Sequence, residues 1–325
     1  MARAGLRLGR AVVRPIWHRL ENFVDPPIVI LLYHRVTTLA ADPQQLAVSP
    51  EHFRAQLLLL KHHLPILRFE EDWSRVKQPA VVITFDDGYA DNLYEALPIL
   101  EELQVPATFF ICVGQIGTQQ EFWWDELERI LLGDRFYPAS FTLEDAQYGQ
   151  SWPTATNDDR QQLYDQLHPL IKQVDAPQWT KWLAQLRVWA NLDDQGRHSH
   201  RAMTSTELQQ FAQSPLVTIG AHTLTHSRLA AQSAARQAEE IQGSKQKLEA
   251  WLARPVPTFS YPFGGRHDYN QQTLAVCKTS GFTKVAANYA GQAHRWSDRY
   301  QLPRQLVRDW APERFAQALA RFWVT

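Results

Sequence analysis

The chain has 325 residues, 45% of them hydrophobic and 11% aromatic, with a formal net charge of −1 and a pI near 6.9. That length and apolar content are enough to bury a large core and exclude a disordered chain, and the balanced charge offers no cationic field for nucleic acid. No run of 18 or more apolar residues is present, so no segment reads as a membrane-spanning helix.

Residues 1–25 form a basic amphipathic N-terminal segment, with Arg3, Arg7, Arg10, Arg14 and Arg19 interleaved with Leu6, Leu8, Val12, Val13, Ile16, Trp17 and Leu20. It lacks the uninterrupted apolar stretch and small-residue cleavage site of a secretory signal. Such a segment suits peripheral contact of residues 1–20 with an anionic membrane, Trp17 sitting at headgroup level. The competing reading is a helix packed on the domain. The two cysteines, Cys112 and Cys277, are too few for a disulfide framework and read as reduced and buried, which favours the cytoplasm.

From residue 26 to 325 short apolar runs alternate with helical patterns. Strands are expected at 28–33, 64–69, 80–85, 106–113, 216–220, 257–261 and 283–287. Helices are expected from the Ser49 cap to His63, from Asp91 to Gln104 and from Ser233 to Leu252. This alternation predicts an α/β domain of parallel strands with helices on both faces, without separating a barrel from an open sheet. Between about 115 and 203 the strands are too far apart for one crossover, which predicts a helical insertion with helices over 126–132, 158–174 and 178–190. Trp123 and Trp124 in it are candidates for stacking on sugar rings, against the default of core packing. Thr204 and Glu207 read as a capping box for a helix through Phe211.

The polar residues with chemical promise fall at C-terminal strand ends, where α/β barrels hold their sites. Asp86 and Asp87 follow the apolar run from Ala80 to Ile83, and Gly88 permits the turn that would bring both carboxylates to one site. Two adjacent carboxylates repel unless a cation lets one become a ligand and the other a base. His222 and His226 follow a second strand and lie four residues apart, which on a helical turn would stack both imidazoles on one side. With one carboxylate of the pair they would complete a facial set of two histidines and a carboxylate.

The motif T-F-D-D-G at 84–88 and H-T-x-x-H at 222–226, in this order, resemble the first two motifs of the NodB-type polysaccharide deacetylases, carbohydrate esterase family 4. The resemblance implies a distorted (β/α)7 barrel, a divalent metal, and Asp86 as catalytic base with Asp87, His222 and His226 as ligands. The family's R-x-P-Y motif is matched by Ser260-Tyr261-Pro262-Phe263, so its arginine is missing. Arg304 is the candidate substitute for steadying Asp86, and Tyr261, Pro262, Phe263 and Arg304 are assigned to the substrate-binding side of the site. The strand ending in Tyr33-His34 is similar to the poly-N-acetylglucosamine deacetylase branch, which implies His34 as general acid; the unperturbed pKa of histidine, about 6.5, suits proton transfer at neutral pH. By the same analogy the Tyr261 backbone N–H would stabilise the oxyanion. The implied reaction is removal of N-acetyl groups from an amino-sugar glycan, zinc being the first choice of metal. The alternative, suggested by the missing arginine and the unmatched later motifs, is a carbohydrate-binding or scaffolding protein of a polysaccharide assembly machine.

Overall fold

Continuous apolar runs such as Ile28–Tyr33, buried on both faces, give the barrel its two packed faces. The structure, a computed structural model, describes residues 25–323. The basic segment expected at residues 1–25, membrane contact included, lies outside the described residues apart from Asp25. No helix among the described residues is long and apolar enough to cross a membrane.

The first elements are β1 (Ile28–Tyr33), β2 (Arg35–Val36), β3 (Ala47–Val48), α1 (Pro50–His63), β4 (Ile66–Leu67) and β5 (Ala80–Asp87). They are followed by α2 (Leu97–Leu103), β6 (Ala107–Ile111), α3 (Trp123–Leu132), β7 (Ser140–Leu143), β8 (Gln150–Pro153), α4 (Asn157–Ile171) and α5 (Ala176–Trp189). The last are α6 (Ser205–Phe211), β9 (Val217–Ala221), α7 (Ala234–Leu252), β10 (Thr258–Ser260), α8 (Gln271–Thr279), β11 (Lys284–Ala286), β12 (Gln305–Leu306) and α9 (Pro312–Phe322).

Eight strands form one parallel sheet in the order β11-β10-β9-β6-β5-β1-β12, with β4 pairing the first half of β5 where β6 does not reach. The segment 302–306 joins the two edges. Leu302 bridges Ala286 beside β11, while Gln305 and Leu306 pair with Leu31 and Leu32 of β1. The result is the distorted (β/α)7 barrel implied by the sequence motifs.

Side chains alternate across each strand, so each parity has one destination. Ile28, Ile30, Val82, Phe110 and Ala286 fill the barrel interior in one small cluster. Their neighbours Val29, Leu31, Val81, Ile83 and Phe109 pack outward against the helices in the main core. Continuing the inward parity past the apolar layer gives His34 after β1, Asp86 on β5, His222 after β9, Ser260 on β10 and Arg304 before β12. The fold therefore stacks a polar layer on the apolar plug at the C-terminal end.

Several expected boundaries shift for physical reasons. The run 64–69 pairs only at Ile66 and Leu67, because β6 occupies the rest of that edge of β5. The strand expected to end at Phe85 continues through Asp87, paired with Ile111. The helix expected from Asp91 opens as a π turn over Asn92–Ala96 before α2. The insertion contains three helices and an unforeseen hairpin, β7 with β8, in which Phe141 packs against Trp152. Its apolar residues are continuous with the core outside the barrel.

Candidate active site

Asp87 has the wrong parity for the interior, yet its carboxylate reaches it because its backbone adopts φ 79°. Gly88 follows at φ 91°, where a side chain would be strained and would press on Ile111. The two carboxylates thus meet through a left-handed turn made inside the last paired residue of β5.

The histidine pair is held by a tight turn rather than by the helical turn expected from its spacing. Thr223 and His226 both have positive φ, 65° and 56°. The His226 N–H donates to Thr223 Oγ1 at 3.0 Å. Buried Glu240 on α7 accepts from the N–H groups of Leu224 and Thr225, both at 2.9 Å, and from Thr225 Oγ1 at 2.7 Å. On the far side the N–H groups of Val113 and Gly114 donate to the carbonyls of Thr223 and Leu224. Glu240 was not singled out from the sequence; a carboxylate among the buried positions of an amphipathic helix is the signal that would have found it.

His222 Nδ1 is 2.7 Å from the Ser260 carbonyl, which fixes Nδ1–H as donor and turns Nε2 toward the aspartates. Asp87 Oδ1 lies 3.6 Å from His222 Nε2 and 3.4 Å from His226 Nε2. One ligand atom from each of the three residues falls within 4.8 Å of the others. Tetrahedral ligands at about 2 Å from a metal stand about 3.3 Å apart, so the spacing fits a small divalent cation. Asp87 Oδ1 is buried without any hydrogen-bond partner among the described residues. Burial, aggravated by Asp86 and Asp125, raises the Asp87 pKa well above the carboxylate range, a penalty that a cation would relieve. Burial also lowers both histidine pKa values, giving the neutral imidazoles that ligation requires.

Asp86 has a different environment. Arg304 grips it with two parallel bonds, Nη1 to Oδ1 and Nη2 to Oδ2, each 2.7 Å. Ser260, at the position of the missing motif arginine, accepts from Arg304 Nη2 at 2.7 Å and donates to Asp86 Oδ2 at 3.3 Å. Burial works to raise the Asp86 pKa, but Arg304, His222 and His34 together hold it well below the usual range. Asp86 is therefore the ionised carboxylate of the pair. The guanidinium of Arg304 is spent on Asp86, Ser260, Thr84 and the Ala287 carbonyl, so it braces Asp86 instead of facing substrate.

A cavity of about 280 Å³ opens over these groups and is also lined by His34, Trp124 and Phe263. Burial pushes the His34 pKa down to about 3, with Asp86 opposing it, so the ring is neutral at rest. Asn92 Nδ2 donates to the His34 carbonyl at 2.9 Å and sets its backbone.

Besides Arg304, three substrate-side expectations are corrected. Tyr261 points outward, stacks on Tyr269 at 4.2 Å and donates its hydroxyl to Tyr300 O; its N–H is committed to the Ala286 carbonyl at 3.1 Å in the ladder, so it is no oxyanion donor. Pro262 is buried off the cavity wall and has no N–H. The next amide is that of Phe263, which lacks a hydrogen-bond partner among the described residues. Trp123 is 3% exposed between Trp124 and His168, with no face for a sugar. Trp124 reaches the cavity, but it packs on His226 at 4.6 Å and donates its N–H to Tyr89 Oη at 2.8 Å.

The polysaccharide deacetylase sequence profile matches residues 74–169 and 154–285. YxkH of Bacillus subtilis (strain 168), whose name assigns it to the polysaccharide deacetylases, is 21% identical over 299 residues, covering 90% of this chain and 74% of that one. Among solved structures, the Streptococcus pyogenes deacetylase PplD in complex with acetate aligns with TM-score 0.57 at 18% identity, over 90% of this chain and 98% of that one. IcaB from Ammonifex degensii aligns with TM-score 0.55 at 18% identity, over 92% and 97%.

Proposed function

The chain belongs to the polysaccharide deacetylase family, and from that premise we propose that it hydrolyses N-acetyl groups on the amino sugars of a glycan, with Asp87, His222 and His226 holding a divalent metal. The observation that carries the reading is the contrast within one aspartate pair. Asp87 Oδ1 is buried, unpaired and faces two neutral imidazoles, while Asp86 beside it is ionised and braced by arginine.

A divalent ion bound there supplies Lewis acidity toward the acetyl carbonyl and lowers the pKa of a water, and zinc suits a set of two imidazoles and one carboxylate. Asp86, ionised at neutral pH, accepts the proton of the attacking water. The unpartnered Phe263 N–H is the amide available to the oxyanion. The proton removed from water is the one the departing amine needs, and His34, neutral at rest on the same cavity wall, relays it. The similarity of the His34 strand to the poly-N-acetylglucosamine branch supports an N-acetylated glucosamine unit of a glycan as the group acted on. The scaffolding alternative draws on the missing motif arginine and the unmatched later motifs, and the Arg304 grip on Asp86 weighs against the first of these.

Acetate release from N-acetylglucosamine oligomers tests the reading. Turnover should depend on added divalent metal, stop on chelation, and fall at least about 10²-fold in Asp86→Asn, the usual scale for loss of a positioned base. Metal-independent release, or full activity in Asp86→Asn, would refute it.

A further inference from the structure

The cavity wall carries more positive charge than the reaction uses. Arg308, just past β12, lines it and is half-buried. Its Nη1 donates to the carbonyls of Gln44, at 2.7 Å, and Gln45. No carboxylate lies within 4 Å of it among the described residues, so its charge is met there only by carbonyl oxygens. Burial lowers its pKa and only Asp42 acts against this. Lys172, at the end of α4, lines the same cavity above the Phe263 ring. Its one carboxylate partner among the described residues, Asp268 at 3.2 Å, is shared with Arg228 at 3.0 Å. One anion therefore serves two cations.

The two aspartates do not neutralise this surplus. Asp86 is matched by Arg304, and Asp87 by the proposed cation. Asn288 and Gln44 add amide groups to the wall, and the Asn288 side chain has no hydrogen bond among the described residues. A neutral acetamido sugar would leave the Arg308 guanidinium without an anion, whereas an oxyanion beside the acetamido group would take charge-assisted bonds from the donors that the Gln44 and Gln45 carbonyls do not use.

Resting on the deacetylase reading, we propose that the substrate is an anionic amino-sugar glycan, bearing a phosphate or carboxylate next to the N-acetylated residue, and that Arg308 receives that group. Arg308 is a specificity residue, not a proton carrier.

The test compares three probes: a neutral N-acetylglucosamine oligomer, N-acetylglucosamine 1-phosphate, and an oligosaccharide alternating N-acetylglucosamine with a uronic acid. Binding is measured by calorimetry on metal-free protein, and acetate release on metal-loaded protein. One or both anionic probes should bind at least about tenfold tighter than the neutral one, the two arms separating phosphate from carboxylate. In Arg308→Gln that ratio should collapse toward one, carried by KM rather than kcat, and Arg308→Lys should restore part of it. Equal binding of all three probes by the native protein would overturn the inference, as would an Arg308→Gln protein of native melting temperature that keeps the preference. If the anionic preference holds in binding but no probe releases acetate, the anion site stands and the hydrolase reading fails. Release from every probe without preference leaves the hydrolase standing and removes the anion site.

Discussion

The most consequential side-chain pairing is Arg304 with Asp86, because both are buried and their bidentate contact matches one charge with the other. Removing one partner leaves a desolvated ion, which costs about 3–5 kcal/mol. Arg304→Gln should therefore lower the urea midpoint sharply and depress turnover as the Asp86 pKa rises. Adding Asp86→Asn should recover part of the stability but none of the activity, because the orphaned charge is gone while the base is lost. A double-mutant cycle in urea reads this directly, and equal stability of the single and double variants would contradict the pairing. Asp86 and Asp87 are legible in the sequence from the apolar strand they end, whereas His34 and Arg304 enter only through the family resemblance. The left-handed backbone of Asp87 is not legible in the sequence, because non-glycine residues rarely adopt it and Gly88 alone accounts for a turn. Nor did composition show that Tyr261 faces away from the site; that follows from the parity of β10, with Ser260 inward.

The loop after β9 owes its shape to a neighbour in space. Glu240 satisfies two backbone N–H groups and a hydroxyl of the 222–226 turn, and Arg236 pairs with it at 2.8 Å. Glu240→Gln keeps the size but replaces an ionised acceptor, so the imidazoles should lose their fixed aim. Affinity for zinc should fall about 10- to 100-fold, as for other groups that orient metal ligands. Chelator competition measures this, and unchanged affinity would mean the turn holds itself. Strands and helices of the barrel were readable because their apolar period is long and strong. The hairpin of β7 and β8 was missed because four residues of alternation inside a polar stretch carry little signal. The pairs Trp123–Trp124 and His222–His226 show the limit of spacing arguments: burial decided the first, and backbone dihedrals the second.

Across the molecule, the three proposed ligands come from β5 and from the loop after β9, which are separated in the barrel by β6. A cation bound between them would tie β5 to β9 across β6 and favour the folded state. At a metal concentration 100 times Kd the gain is about 2.7 kcal/mol, which raises the melting temperature by several degrees. Calorimetry with and without zinc should show that rise in the native protein and none in His226→Ala. Identical melting curves for the native protein would count against a cation at this position.

The closure of the barrel by residues 302–306 also bears on biosynthesis. Asp86 emerges from the ribosome more than two hundred residues before Arg304. Until that late segment threads between β11 and β1, the barrel is an open trough with an aspartate that cannot be buried favourably. Closure of that seam waits on the exit of Arg304 from the ribosome, so Asp86 enters the interior late rather than as its own stave forms.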